Sequence, residues 1–231
     1  MKFIPLHAIF AIASSLLALK CALTSWRRYK ENGNPLIKYL ALDFFSMFAA
    51  MLFLAPPSLF HRSELLPFFL APAVFLLFLG IAFFLQITVS SSRKLIKYRK
   101  LIFFLVLAAG VFLAAYTFSN DPSLSFEKYG LMTQYTFPPL IKLTLAVFTV
   151  FSTSFLSSLV FFGRAFSISA SPALSLIRAR SVVFGIALIF IGIGVLLVLL
   201  GEKIFYNFFI FLAFVLFYLN ERANLWKDLL I

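Results

Sequence analysis

Charge is what this sequence lacks first. Only 12% of its 231 residues are Asp, Glu, Lys or Arg, against roughly 25% in an ordinary soluble domain. Acidic residues are scarcest, 8 in all, so the raw material for acid–base catalysis is thin. A single cysteine, Cys21, excludes an intramolecular disulfide and any cysteine-rich metal site. His7 and His61 have no third ligand at a suitable spacing, which argues against a metal centre. The recognisable catalytic spacings are missing as well: no His-Glu-x-x-His, no Gly-x-Ser-x-Gly, no Gly-x-x-x-x-Gly-Lys and no paired aspartate-rich motifs. No lysine stands in the middle of the last apolar run, which excludes a retinal Schiff base. These absences predict a protein that is not an enzyme and carries no cofactor.

What is present in excess is apolar. Hydrophobic residues make up 63% of the chain, and Phe alone occurs 33 times. A soluble core of this size could not hide so much apolar surface, whereas a lipid bilayer can serve as its solvent. A membrane helix needs roughly 20 mainly apolar residues to cross a ~30 Å hydrocarbon core. Seven segments qualify, at about 3–24, 35–57, 66–90, 101–119, 138–163, 181–200 and 203–220. The expected fold is therefore an all-α membrane protein, a single domain over 1–231 built as a bundle of seven transmembrane helices. The first apolar run is longer than the 7–15 residues typical of a signal-peptide core. Lys20 also stands where a lipoprotein cleavage box needs a small residue before Cys21. That run is read as an uncleaved helix.

The net charge of +12 would raise nucleic-acid binding in a soluble protein. Here the positions of the basic residues supply a different reason, and no nucleic-acid partner is expected. Arg27, Arg28 and Lys30 follow the first span; Arg93, Lys94, Lys97, Arg99 and Lys100 follow the third; Arg164, Arg178 and Arg180 follow the fifth. With Arg222 and Lys227 in the tail, thirteen stand on one side against Lys2, Arg62, Lys128 and Lys203 on the other. Short basic loops stay in the cytoplasm. The pattern predicts an N-terminus outside, a cytoplasmic C-terminus and residence in the cell membrane.

Polar residues inside spans are costly and are where function is sought. Asp43 is the only carboxylate well inside the expected hydrocarbon region, about two turns from the cytoplasmic end of the second span. Lys20 lies about one turn from the same end of the first, and antiparallel neighbours would bring the two together as an ion pair. Thr149, Thr153 and Ser157 are spaced by four, as are Ser154 and Ser158, so the fifth span carries a broad hydroxyl face. Such a face either lets helices approach closely or lines a ligand cavity, shared with Gln86 or Asn207. Gly185, Gly192 and Gly194 mark a thin surface on the sixth span. Outside the spans, 120–137 is a mildly acidic external piece. The segment 164–180 suits an interfacial position on anionic headgroups. The tail, 221–231, is expected to be a short interfacial helix. Besides the lipid bilayer, a protein partner on the cytoplasmic side is expected at the basic segments 91–100 and 164–180.

The run Trp26-Arg-Arg-Tyr-Lys-Glu-Asn-Gly-Asn-Pro35, followed by Leu-Ile-Lys-Tyr-Leu-Ala-Leu-Asp43, resembles the first cytoplasmic turn of prokaryotic seven-helix sensor regions found ahead of histidine kinases. The run Arg178-Ala-Arg180-Ser-Val-Val-Phe-Gly185 is similar to the basic entry to their sixth helix. The resemblance covers topology over most of the chain and residues over about a tenth of it. It implies a sensor-like or accessory subunit. With the chain ending eleven residues after the last span, the output is expected from a separate protein. The rival expectation is a small permease or channel-forming subunit with its pathway along the fifth span.

Overall fold

The computed structural model describes residues 5–60, 62–90, 96–120, 123–126, 133–136, 138–167, 172–200 and 205–221. Its helices are α1 (Leu6–Asn32), α2 (Pro35–Leu59), α3 (Leu66–Ser90), α4 (Arg99–Ser119), α5 (Pro139–Ser167), α6 (Pro172–Leu199) and α7 (Phe205–Glu221). Six are long and apolar enough to cross a membrane. The seventh, α7, is a shorter apolar helix of 17 residues, about 26 Å at 1.5 Å per residue. Two short antiparallel strands, Ser123–Phe126 and Thr133–Thr136, pair between α4 and α5. They are a local exception to the expected all-α fold, in the segment read as an external piece.

Local chemistry fixes the first hairpin. Gly33 takes a left-handed conformation (φ 63°), and its N–H bonds to the Tyr29 carbonyl, closing α1. Asn34 then caps α2 by accepting from the Leu36 N–H at 2.9 Å, with Pro35 at the first helical position. Nothing between residue 24 and this glycine breaks the helix. Arg27, Arg28 and Lys30 therefore ride on the last turns of α1 rather than in a loop. The segment 164–180 is largely helical as well. α5 continues to Ser167 and α6 starts at Pro172, a residue well suited to a helix start. Residues 168–171, Arg93, Lys94 and the tail beyond Glu221 lie outside the described residues.

The helices pack as a ring, α1–α2–α3–α5–α6–α7 and back to α1, with α4 laid against the outside of α3. Close approach is achieved with small residues. A Cβ at Gly110 of α4 would fall 2.5 Å from the Cβ of Phe78 on α3. On α6 a Cβ at Gly185 would meet Phe162, one at Gly192 would meet Ser154, and one at Gly194 would meet Ile210. The expected thin surface thus faces α5 on one side and α7 on the other. Leu101, Phe104, Leu105, Phe112 and Phe118 of α4 point outward, as suits helices surrounded by acyl chains. The described basic residues near helix ends gather at one end of the bundle, with Arg62 and Lys142 at the opposite end.

Candidate functional site

The fifth helix is unusual along its middle. Residues Ala146–Leu156 are wound as a π-helix for 11 residues, continuous with α-helix on both sides. Ile141, Leu145, Thr149, Thr153 and Ser157 are all buried. In an α-helix each step of four overshoots a full turn by about 40°, so five such positions would spiral off one face. The wider i→i+5 winding keeps the hydroxyls turned inward. Several hydroxyls also bond along it, Ser152 Oγ to the Val147 carbonyl at 2.9 Å and Thr153 Oγ1 to the Phe148 carbonyl at 2.7 Å.

The stripe divides by depth. Ser157 Oγ lies 3.2 Å from Thr88 Oγ1 of α3, and Ser158 donates to the Gly185 carbonyl of α6 at 3.0 Å. These two bond helix to helix. Thr149 and Thr153 instead line a small cavity of about 20 Å³ together with Asp43. Asp43 is 6% exposed, and its Oδ1 has no hydrogen-bond partner among the described residues. That oxygen leans on α3, where a Cβ at Gly80 would stand 3.0 Å from it. Thr149 Oγ1 is likewise buried and without a partner.

Lys20 is not part of this group. The inward face of α1 is a strip of small residues, Ala11, Ser14, Ala18, Cys21, Ala22 and Ser25. Lys20 falls about 200° from Ala18 around the helix. Its side chain is exposed, with Nζ 5.1 Å from the centroid of the Tyr218 ring. Depth along the span matched it to Asp43; helical phase turns it away. Gln86 is also elsewhere, bonded to the Arg99 carbonyl at the start of α4. The Asn207 side chain and His61 lie outside the described residues.

Directly above the small cavity, towards the end where α1 begins, is a chamber of about 130 Å³ walled by every ring helix. Its walls are apolar apart from His7, Ser14, Thr149 and Tyr206. Met47, Thr149, Ile191 and Phe214 line both spaces, so the Asp43 cavity forms the chamber's floor. At the top, Tyr206 OH and His7 Nδ1 are hydrogen-bonded at 2.8 Å, joining α7 to α1.

Below the floor, phenyl rings fill the bundle. Phe184 of α6 stacks on Phe84 of α3 at 4° and lies 4.6 Å from Phe161 of α5 and 4.9 Å from Phe217 of α7. Phe44 of α2 packs edge-on against Phe217 at 5.4 Å. Beyond this plug, at the basic end, Arg28 of α1 meets Glu221 of α7 at 2.5 Å and donates to its carbonyl as well. Two nitrogens of Arg180 and the hydroxyl of Ser25 are buried nearby without partners among the described residues. The sequence does not reveal this pair, because reading by spans puts Arg28 in a loop and Glu221 at the start of a tail, 193 positions apart.

Six membrane-length helices and a seventh apolar helix, ringed around an apolar chamber, define a multi-pass helical membrane protein. No family model matches the chain, and no curated protein matches it as a relative.

Proposed function

We propose that this chain is a seven-span sensor-like or accessory subunit of the cell membrane, non-enzymatic, which binds a ligand in its central chamber and acts through a cytoplasmic protein. Its N-terminus is outside, its C-terminus in the cytoplasm, and the chamber opens in the outer half of the bilayer. The observation that carries this reading is that the chamber is blind. Its only polar floor, at Asp43 and Thr149, rests on a plug of phenyl rings contributed by five helices. A permease pathway along α5 would have to pass that plug, and the hydroxyls beyond it, Ser157 and Ser158, are engaged with α3 and α6. Concave, mostly apolar spaces with a few convergent polar groups are the usual form of a small-molecule site. The basic end, with Lys97 and Lys100 exposed, offers the partner an electropositive face.

Extraction of native membrane patches into polymer discs, followed by identification of co-eluting proteins, tests the reading. A signalling or effector protein should co-elute, and Lys97→Gln with Lys100→Gln should weaken its retention. Recovery of the chain alone, together with solute flux in reconstituted vesicles, would overturn the reading in favour of a permease.

A further inference from the structure

The floor of the chamber is chemically unlike its walls. Asp43 and Thr149, 6% and 1% exposed, both line a space of about 20 Å³, and Asp43 Oδ1 and Thr149 Oγ1 are buried without a hydrogen-bond partner among the described residues. The rest of that space is bounded by Phe44, Phe84, Phe214 and Phe217 together with Thr153 and aliphatic side chains such as Ile81 and Leu188. Among the described residues, Asp43 is the only titratable group lining it. The cation nearest in depth, Lys20, stacks on Tyr218 at the outer surface of the bundle. A carboxyl group so placed lacks the donor and the positive charge that would offset its removal from water. Phenyl faces favour the same kind of visitor, because a cation is attracted to the ring quadrupole. A carboxyl, a hydroxyl and aromatic rings around a volume this small describe a receptacle for one ammonium group.

The adjoining chamber says what that ammonium is attached to. At about 130 Å³ with apolar walls, it is close to the ~150 Å³ apolar cavity known to admit benzene. We propose that the ligand is a hydrophobic primary or secondary amine, with a body the size of one six-membered ring in the chamber and its N–H donors on Asp43 and Thr149. This rests on the ligand-chamber reading above and names the ligand's chemical class.

Calorimetric titration of the full chain in lipid nanodiscs, with empty discs subtracted, separates the two claims. The probes are benzylamine, benzyl alcohol and toluene, which share a body and differ in the head. Benzylamine should bind about tenfold or more tighter than benzyl alcohol, the range expected for hydrogen bonds to a charged group. Toluene should bind weakest. Asp43→Asn should bring amine and alcohol to within about twofold of each other. Gly80→Ala, which presses a methyl to 3.0 Å from Asp43 Oδ1, should weaken benzylamine while leaving toluene unchanged. Should Asp43→Asn not fold, the wild-type probe series and Gly80→Ala decide the matter. Equal binding of all three probes would overturn the amine assignment and leave the chamber a ligand site. Failure of all three to bind would remove the chamber reading itself.

Discussion

Asp43 stands at the point where burial and polarity conflict most in this molecule. It owes its position to the helical phase of α2, whose buried residues include Ala41, Asp43, Phe44, Ser46, Met47 and Ala50. The same reasoning removes Lys20, which shares its depth and not its face. If the two were a buried pair, removing either alone would strand the other at roughly 3–5 kcal/mol. Their separation leads to a different expectation. In a double-mutant cycle of Lys20→Leu and Asp43→Leu, measured by unfolding in micelles, the two effects should add within about 0.5 kcal/mol. Lys20→Leu alone should cost no more than about 1 kcal/mol, the worth of its contact with Tyr218. A coupling well above that would restore the pair.

Among the elements, α5 and α6 show how close packing and winding act together. The π segment turns Thr149 and Thr153 inward, and Gly192 gives α6 room to lie against Ser154, only 2.7 Å from where a Cβ would sit. Gly192→Leu should therefore lower stability by about 1–3 kcal/mol, the usual cost of overpacking a well-filled contact. Gly163, near the end of α5, has nothing within 4 Å of its Cβ position and is exposed. Gly163→Ala should raise stability by about 0.5–1 kcal/mol, since alanine is the better helix former and restricts the unfolded chain. Thermal unfolding in one detergent reads both. Equal losses at the two glycines would mean that α6 does not lie on Ser154.

For the whole molecule, ring closure is the organising fact. α7 packs on both α6 and α1, and the Arg28–Glu221 and His7–Tyr206 contacts tie α1 to α7 at opposite ends. The same closure creates the chamber, since no pair of neighbouring helices encloses it alone. The basic end predicts the orientation. Reporter fusions after Lys30, Lys97 and Arg178 should read cytoplasmic, and a fusion after Glu64 should read external. An external reading at Lys97 would reverse the molecule and place the chamber in the inner half of the bilayer.

The amino-acid order by itself determined the class of molecule, because transfer of long apolar runs into lipid depends on composition along the chain and not on partners. It also marked Asp43, Thr149, Thr153 and Ser157 as polar residues set within those runs, and Gly33-Asn34-Pro35 as a turn whose geometry is local. What it left open was set by rotation about helix axes and by which helices meet. Lys20 moved to the surface, Ser157 went to Thr88, and Arg28 found Glu221, a residue 193 positions away. The π winding of α5 was illegible as well, since a spacing of four suits an α-helix over one step and departs from it only over several. Phase, neighbour choice and enclosure are properties of the packed bundle, and it is packing that brought Asp43, Thr149, Thr153 and four phenyl rings around one cavity.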